Sequence, residues 1–107
     1  MTSTAVTDST FDAQLAAASG TVLLEFWTEW CGPCKALSPI IEQIAAENPE
    51  RLTVFTVNPD ENPGMAERFM ITSVPSMKVI RDGEVVKTIF TAKPKPALEH
   101  ELAPYLS

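Results

Sequence analysis

This sequence of 107 residues predicts an α/β fold: a central mixed sheet of four to five strands with helices on both faces. Three observations point to it. Val22-Leu23-Leu24-Glu25-Phe26-Trp27 is a near-continuous apolar run of strand length, the pattern of a strand buried on both faces at a sheet centre. Helix-like and strand-like segments alternate along the chain, which is how parallel strands acquire their covering helices. Met77–Ile80 and Glu84–Phe90 flank Asp82-Gly83, a strong turn signal, so the chain also carries an antiparallel hairpin. With no linker, internal repeat or low-complexity tract, residues 1–107 read as one domain.

Taken in order, the elements begin with a short strand near Ala5-Val6. Phe11–Ala18 is an Ala-rich helix, with Asp8-Ser9-Thr10 as candidate caps and Gly20 to end it. The apolar strand Val22–Trp27 follows. From Pro33 to Asn48, Leu37, Ile40, Ile41, Ile44 and Ala45 recur at amphipathic-helix spacing. Pro33 is tolerated in the first turn, whereas Pro39 lies inside and is expected to bend the helix. Leu52–Val57 is β-branched and aromatic, hence a strand. Asn62–Phe69 is a short helix opening with Pro63. After the hairpin, Pro96–Leu106 places Leu98, Leu102 and Leu106 on one helical face, with Pro104 expected to end or bend it. Met65, Met70 and Met77 read as core gap-fillers, Trp27 as packing beneath the site, and His100 as a surface residue.

Composition excludes several functions. Eight basic against fourteen acidic residues give a net charge of −6, and phosphate binding needs a basic face, so no nucleic acid is expected. The longest apolar stretch, Leu15–Ala18, is far short of the roughly 20 residues of a membrane span. The first twenty residues contain no Lys or Arg and no apolar run long enough for a signal-peptide h-region, so the reading is cytosolic rather than secreted.

The two cysteines are Cys31 and Cys34, separated by Gly32-Pro33. A disulfide stabilises mainly by closing a long loop in the unfolded chain, and this loop is minimal. Redox exchange, a zinc site or an inert pair remain. Zinc needs four ligands, and one cysteine pair with one histidine falls short, so no metal is expected. The pair opens a helix directly after the buried strand. A thiolate at Cys31, just before the first turn, gains from unpaired N–H groups and the positive end of the helix dipole. Cys31 is therefore the attacking thiolate. Cys34, within the turn and expected to be less exposed, is the resolving thiol.

Phe26-Trp27-Thr28-Glu29-Trp30-Cys31-Gly32-Pro33-Cys34-Lys35 resembles the active-site segment of thioredoxins. The resemblance covers nearly the whole chain. Asn58-Pro59-Asp60-Glu61-Asn62-Pro63-Gly64 is similar to the segment after the third strand of that family. Ser73-Val74-Pro75-Ser76 is similar to its cis-proline loop, and Asp82-Gly83-Glu84 to its last hairpin turn. The resemblance implies a thioredoxin fold and a monomeric cytoplasmic protein-disulfide reductase and electron carrier. It implies no bound cofactor beyond the redox-active Cys31–Cys34 disulfide. Disulfide-containing client proteins and a thioredoxin reductase, flavin-dependent and drawing on NADPH, are the implied partners. An oxidant or isomerase on the same fold, or a non-catalytic docking module, are the rival readings.

The same resemblance assigns site residues. Trp30, Gly32, Pro33, Val74, Pro75, Thr91 and Ala92 would form the client-binding surface. Only about 5–6% of X–Pro bonds in folded proteins are cis, so physics alone makes Val74–Pro75 trans; the resemblance implies cis, facing the cysteines, with Val74 offering backbone groups to an extended client. Glu25 interrupts the apolar strand, and burial there raises a carboxyl's pKa toward neutrality. Thioredoxins usually carry an aspartate at this position, near a lysine on the following strand, and the resemblance implies a proton acceptor for Cys34. Here the carboxylate is Glu25, and Thr56 stands where the lysine is expected. Thr91 replaces a common glycine and is expected to narrow client choice or weaken docking to the reductase.

Overall fold

The computed structural model describes residues 3–106. The elements are β1 (Ser3–Ala5), α1 (Phe11–Ala17), β2 (Thr21–Phe26), α2 (Gly32–Glu47), β3 (Leu52–Val57), α3 (Pro63–Arg68), β4 (Ser76–Arg81), β5 (Glu84–Ile89) and α4 (Lys95–Leu102), followed by a 3-10 turn over Ala103–Tyr105. The five strands form one sheet in the order β1-β3-β2-β4-β5, so the apolar run β2 is central. β1, β3 and β2 are mutually parallel, while β4 is antiparallel to both β2 and β5.

Strand alternation divides the interior into two layers. Leu23 of β2, Val54 of β3 and Met77 and Val79 of β4 face Leu37, Ile41 and Ile44 of α2 and Leu98 and Leu102 of α4. Val22, Leu24 and Phe26 face the other way, onto Phe11 of α1 and Met65 of α3. Helices thus cover both faces, as the alternating sequence pattern predicts.

Two expectations are corrected, on Met70 and on the start of the first strand. The last helix ends ahead of Pro104, as expected: α4 stops at Leu102 and Pro104 lies in the 3-10 turn. Proline lacks the N–H that an interior α-helical position needs. Met70 is not a gap-filler, since it is 82% exposed with φ 52°. It follows the last turn of α3, where a left-handed residue lets the Met70 and Ile71 N–H groups reach the Glu67 and Ala66 carbonyls. The first strand begins earlier, at Ser3, and Val6 N–H adds a further bond to the Thr56 carbonyl (2.8 Å). α2 runs through Pro39 as one 16-residue element. The Asp-Gly turn forms as expected, with φ 53° at Asp82 and 79° at Gly83, the two positive values that a tight hairpin requires.

Candidate active site

The sheet gathers the site at one end. Phe26, the last residue of β2, pairs with Val57, the last of β3, and with Ser76, the first of β4. Ile89, the last of β5, pairs with Met77. The segments after β2, β3 and β5 and before β4 therefore emerge together, at the carboxyl ends of the parallel strands where α/β sheets place their sites. This register brings 27–31, 58–62, 71–75 and 90–92 to one edge.

Cys31 is the N-cap of α2, with extended backbone, and its Sγ accepts from the Cys34 N–H (3.1 Å). A sulfur in this position receives the orphan amides of the first turn and the positive end of a 16-residue helix. The two cysteines are joined as a disulfide, with Cα atoms 5.3 Å apart. Both residues are buried, 4% and 2% exposed. The expected contrast in exposure is thus small in this oxidised form, and the helix-cap geometry is what distinguishes the two.

Trp30 is 74% exposed and flanks the pair, its indole Nε1–H directed at Asp60 Oδ2 (3.3 Å). A groove of about 200 Å³ beside it is lined by Thr28, Asp60, Ile71, Ser73 and Val74. Val74–Pro75 is a cis peptide bond, as the resemblance implies, and Pro75 is buried while Val74 is half-buried in the groove wall. Gly32 and Pro33 are exposed beside the cysteines, and Thr91 and Ala92 are exposed at the same end of the sheet. His100 is on the surface of α4.

Behind the cysteines lies a larger pocket of about 510 Å³, bounded by Glu25, Trp27, Cys34, Ser38, Glu42 and Thr56 among others. Glu25 is 2% exposed. Burial pushes its pKa up to about 7; the Ser38 hydroxyl opposes the rise and the Glu42 charge adds to it. Thr56 is the register partner of Glu25 on β3 and Met77 its partner on β4, so the adjacent strands supply no cation. The sequence reading had no role for Ser38, Glu42 or Asp60. Cys34, Ser38 and Glu42 recur at i, i+4 and i+8, so helical spacing already held that row; Asp60 had no comparable signal.

Among the described residues no group of three or more His, Cys, Asp or Glu side chains is placed to hold a metal ion, and no helix is long and apolar enough to cross a membrane. The thioredoxin family model matches residues 2–104. The chain belongs to the thioredoxin family. It is 46% identical over 101 residues to a thioredoxin of Mycolicibacterium smegmatis, covering 92% of this chain and 90% of that one. It is 39% identical over 102 residues to thioredoxin 1 of Synechococcus elongatus, covering 95% of each. It is also 43% identical over 98 residues to part of a bifunctional thioredoxin reductase/thioredoxin of Mycobacterium leprae; that match covers 92% of this chain and 21% of the longer protein. The Cys31–Cys34 disulfide stands at the family's active-site position, in the mixed five-stranded fold that the resemblance implies.

Proposed function

We propose that this chain is a protein-disulfide reductase and electron carrier working by dithiol–disulfide exchange. In the reduced protein the Cys31 thiolate attacks a client disulfide. One client sulfur leaves as a thiolate, and the other is held in a mixed disulfide with Cys31. Cys34 then gives its proton to Glu25 and attacks Cys31 Sγ. The Cys31–Cys34 disulfide forms and the second client thiolate departs, so two electrons pass from the pair to the client. Holding both thiols within one helical turn makes the second attack intramolecular.

The observation that carries this reading is the sulfur of Cys31 capping α2 and accepting from Cys34 N–H. Trp30, Gly32, Pro33, Val74, Pro75, Thr91 and Ala92 form the client surface, with Val74 offering backbone groups to an extended client segment. A flavin-dependent reductase, drawing on NADPH, restores the dithiol. The protein acts as a cytoplasmic monomer. The Mycobacterium leprae relative, named a bifunctional thioredoxin reductase/thioredoxin, supports a thioredoxin reductase as the partner.

Insulin reduction by the wild type, by Cys31→Ser and by Cys34→Ser tests the assignment. The wild type should turn over, Cys31→Ser should be inactive, and Cys34→Ser should accumulate a mixed disulfide at Cys31. Turnover by Cys31→Ser would overturn it. Thr91→Gly should lower the KM for a thioredoxin reductase while leaving kcat unchanged; equal kinetics would remove Thr91 from the docking surface.

A further inference from the structure

The exchange chemistry uses the cysteines and Glu25 but leaves open where the proton on Glu25 goes. The pocket behind the site runs from Glu25 and Cys34 to Ser3 and Glu42, whose side chains are partly exposed. Cys34, Ser38 and Glu42 form one row along α2, buried at its inner end and reaching solvent at its outer end. The Ser38 hydroxyl carries one proton. Ser38 Oγ is within donating distance of both the Cys34 carbonyl (3.0 Å) and Glu25 Oε2 (3.5 Å). When that proton turns to the nearer carbonyl, a protonated Glu25 meets an acceptor lone pair on Ser38. Across the pocket, the Glu42 carboxylate accepts from the Ser3 hydroxyl.

We propose that Glu42 is a positioning residue for the resolving step, receiving through this pocket the proton that Glu25 takes from Cys34 and passing it to solvent. This rests on the reading of Glu25 as proton acceptor. As the Cys34 S–H bond breaks, the proton goes to Glu25 and the electron pair forms the bond to Cys31 Sγ. Glu25 then returns to carboxylate by losing that proton, with Glu42 as the acceptor on the way to bulk water. The groups facing Glu25 are Cys34, Lys35, Ser38 and Glu42 of α2 together with the uncharged Ser3 of β1, Thr56 of β3 and Met77 of β4. A lysine ammonium has no lone pair to offer, so the carboxylate across the pocket is the proton acceptor of that set. The Glu42 charge also raises the proton affinity of Glu25, which keeps the inner carboxyl a competent base near neutral pH.

The test uses the full chain with thionitrobenzoate in mixed disulfide with Cys31. Its release as Cys34 attacks is followed by stopped-flow absorbance across pH in dilute buffer. Glu42→Gln should release it several-fold more slowly, with the pH midpoint moved down. Added imidazole, small enough to enter the pocket, should restore the rate, and Glu42→Asp should stay close to wild type. A Glu42→Gln protein with wild-type rate and midpoint, or a slow one that imidazole does not restore, would overturn the exit role. Glu25→Gln separates the two readings. If it flattens the profile while Glu42→Gln changes nothing, only the exit falls; if it leaves the profile unchanged, the Glu25 reading falls and the exit with it.

Discussion

Thr56 on β3 stands directly beside Glu25 on β2, both pointing to the α2 face of the sheet, and no cation from either neighbouring strand meets the carboxyl. Burial raises the proton affinity of Glu25, and neither strand partner supplies a cation to offset it. Thr56→Lys would place an ammonium in the roomy pocket, and an opposite charge favours the ionised carboxylate. The midpoint for Glu25 should then fall from about 7, by roughly 1–3 pH units. Carboxyl titration by NMR on the oxidised protein measures this. An unmoved midpoint would show that the lysine does not reach Glu25.

Glu25 also makes stability depend on pH. Its pKa in the folded protein is about 7 against an ordinary 4.5, so the folded state binds more protons than the unfolded state between those values. Stability is full below the unfolded value and declines as pH rises through the folded one, by roughly 3 kcal/mol in all. Glu25→Gln should flatten that decline. At about pH 8 the variant should be the more stable by roughly 1–3 kcal/mol, because a neutral amide avoids the desolvation cost. Urea unfolding at about pH 5 and about pH 8 checks this. A wild-type-to-variant difference equal at both pH values would refute it.

A third expectation concerns a cap supplied from far away in the sequence. Asp8 accepts from the Gly64 N–H (3.1 Å) and the Met65 N–H (2.7 Å), the first turn of α3. Its own N–H donates to Asn62 Oδ1 (3.0 Å), closing a clamp between the β1–α1 loop and α3. Gly64 allows the approach, since a Cβ there would stand 3.1 Å from the Asp8 carboxyl carbon. Asp8→Ala should cost about 1–2 kcal/mol in chemical denaturation. A loss below about half a kcal/mol would show that water replaces the cap.

Met70 gives the opposite sign. A non-glycine residue in the left-handed region carries a steric cost, and this side chain is exposed, so it recovers little by packing. Met70→Gly should raise stability by about 1 kcal/mol, read as a shift of the denaturation midpoint without a change in slope. A destabilised variant would mean that the methionine side chain makes a contact of its own.

Much of this architecture is legible because local patterns carry it. The buried run around Leu23, the row of Leu37, Ile41 and Ile44, and Asp82-Gly83 each specify their element through periodicity or turn chemistry. Pro104 ended α4 for the same local reason. What stayed hidden depends on which segments meet. Asp8 and Met65 are 57 positions apart, and nothing near either one announces the pairing. The row from Cys34 through Ser38 to Glu42 was visible as helical spacing, but its meaning waited on the pocket into which it faces.

The sequence by itself determined that Cys31 and Cys34 open a helix after a buried strand, and that Glu25 interrupts that strand. These facts follow from spacing of residues close along the chain. The tertiary structure bears out Thr56 as the neighbour of Glu25, which the resemblance implies; it alone decided that Trp30 reaches Asp60 and that Glu42 shares a pocket with the resolving cysteine. The reason is physical: strand register and helix packing are fixed by burial over the whole chain, and the proton affinity of a buried carboxyl depends on the neighbours that this packing delivers.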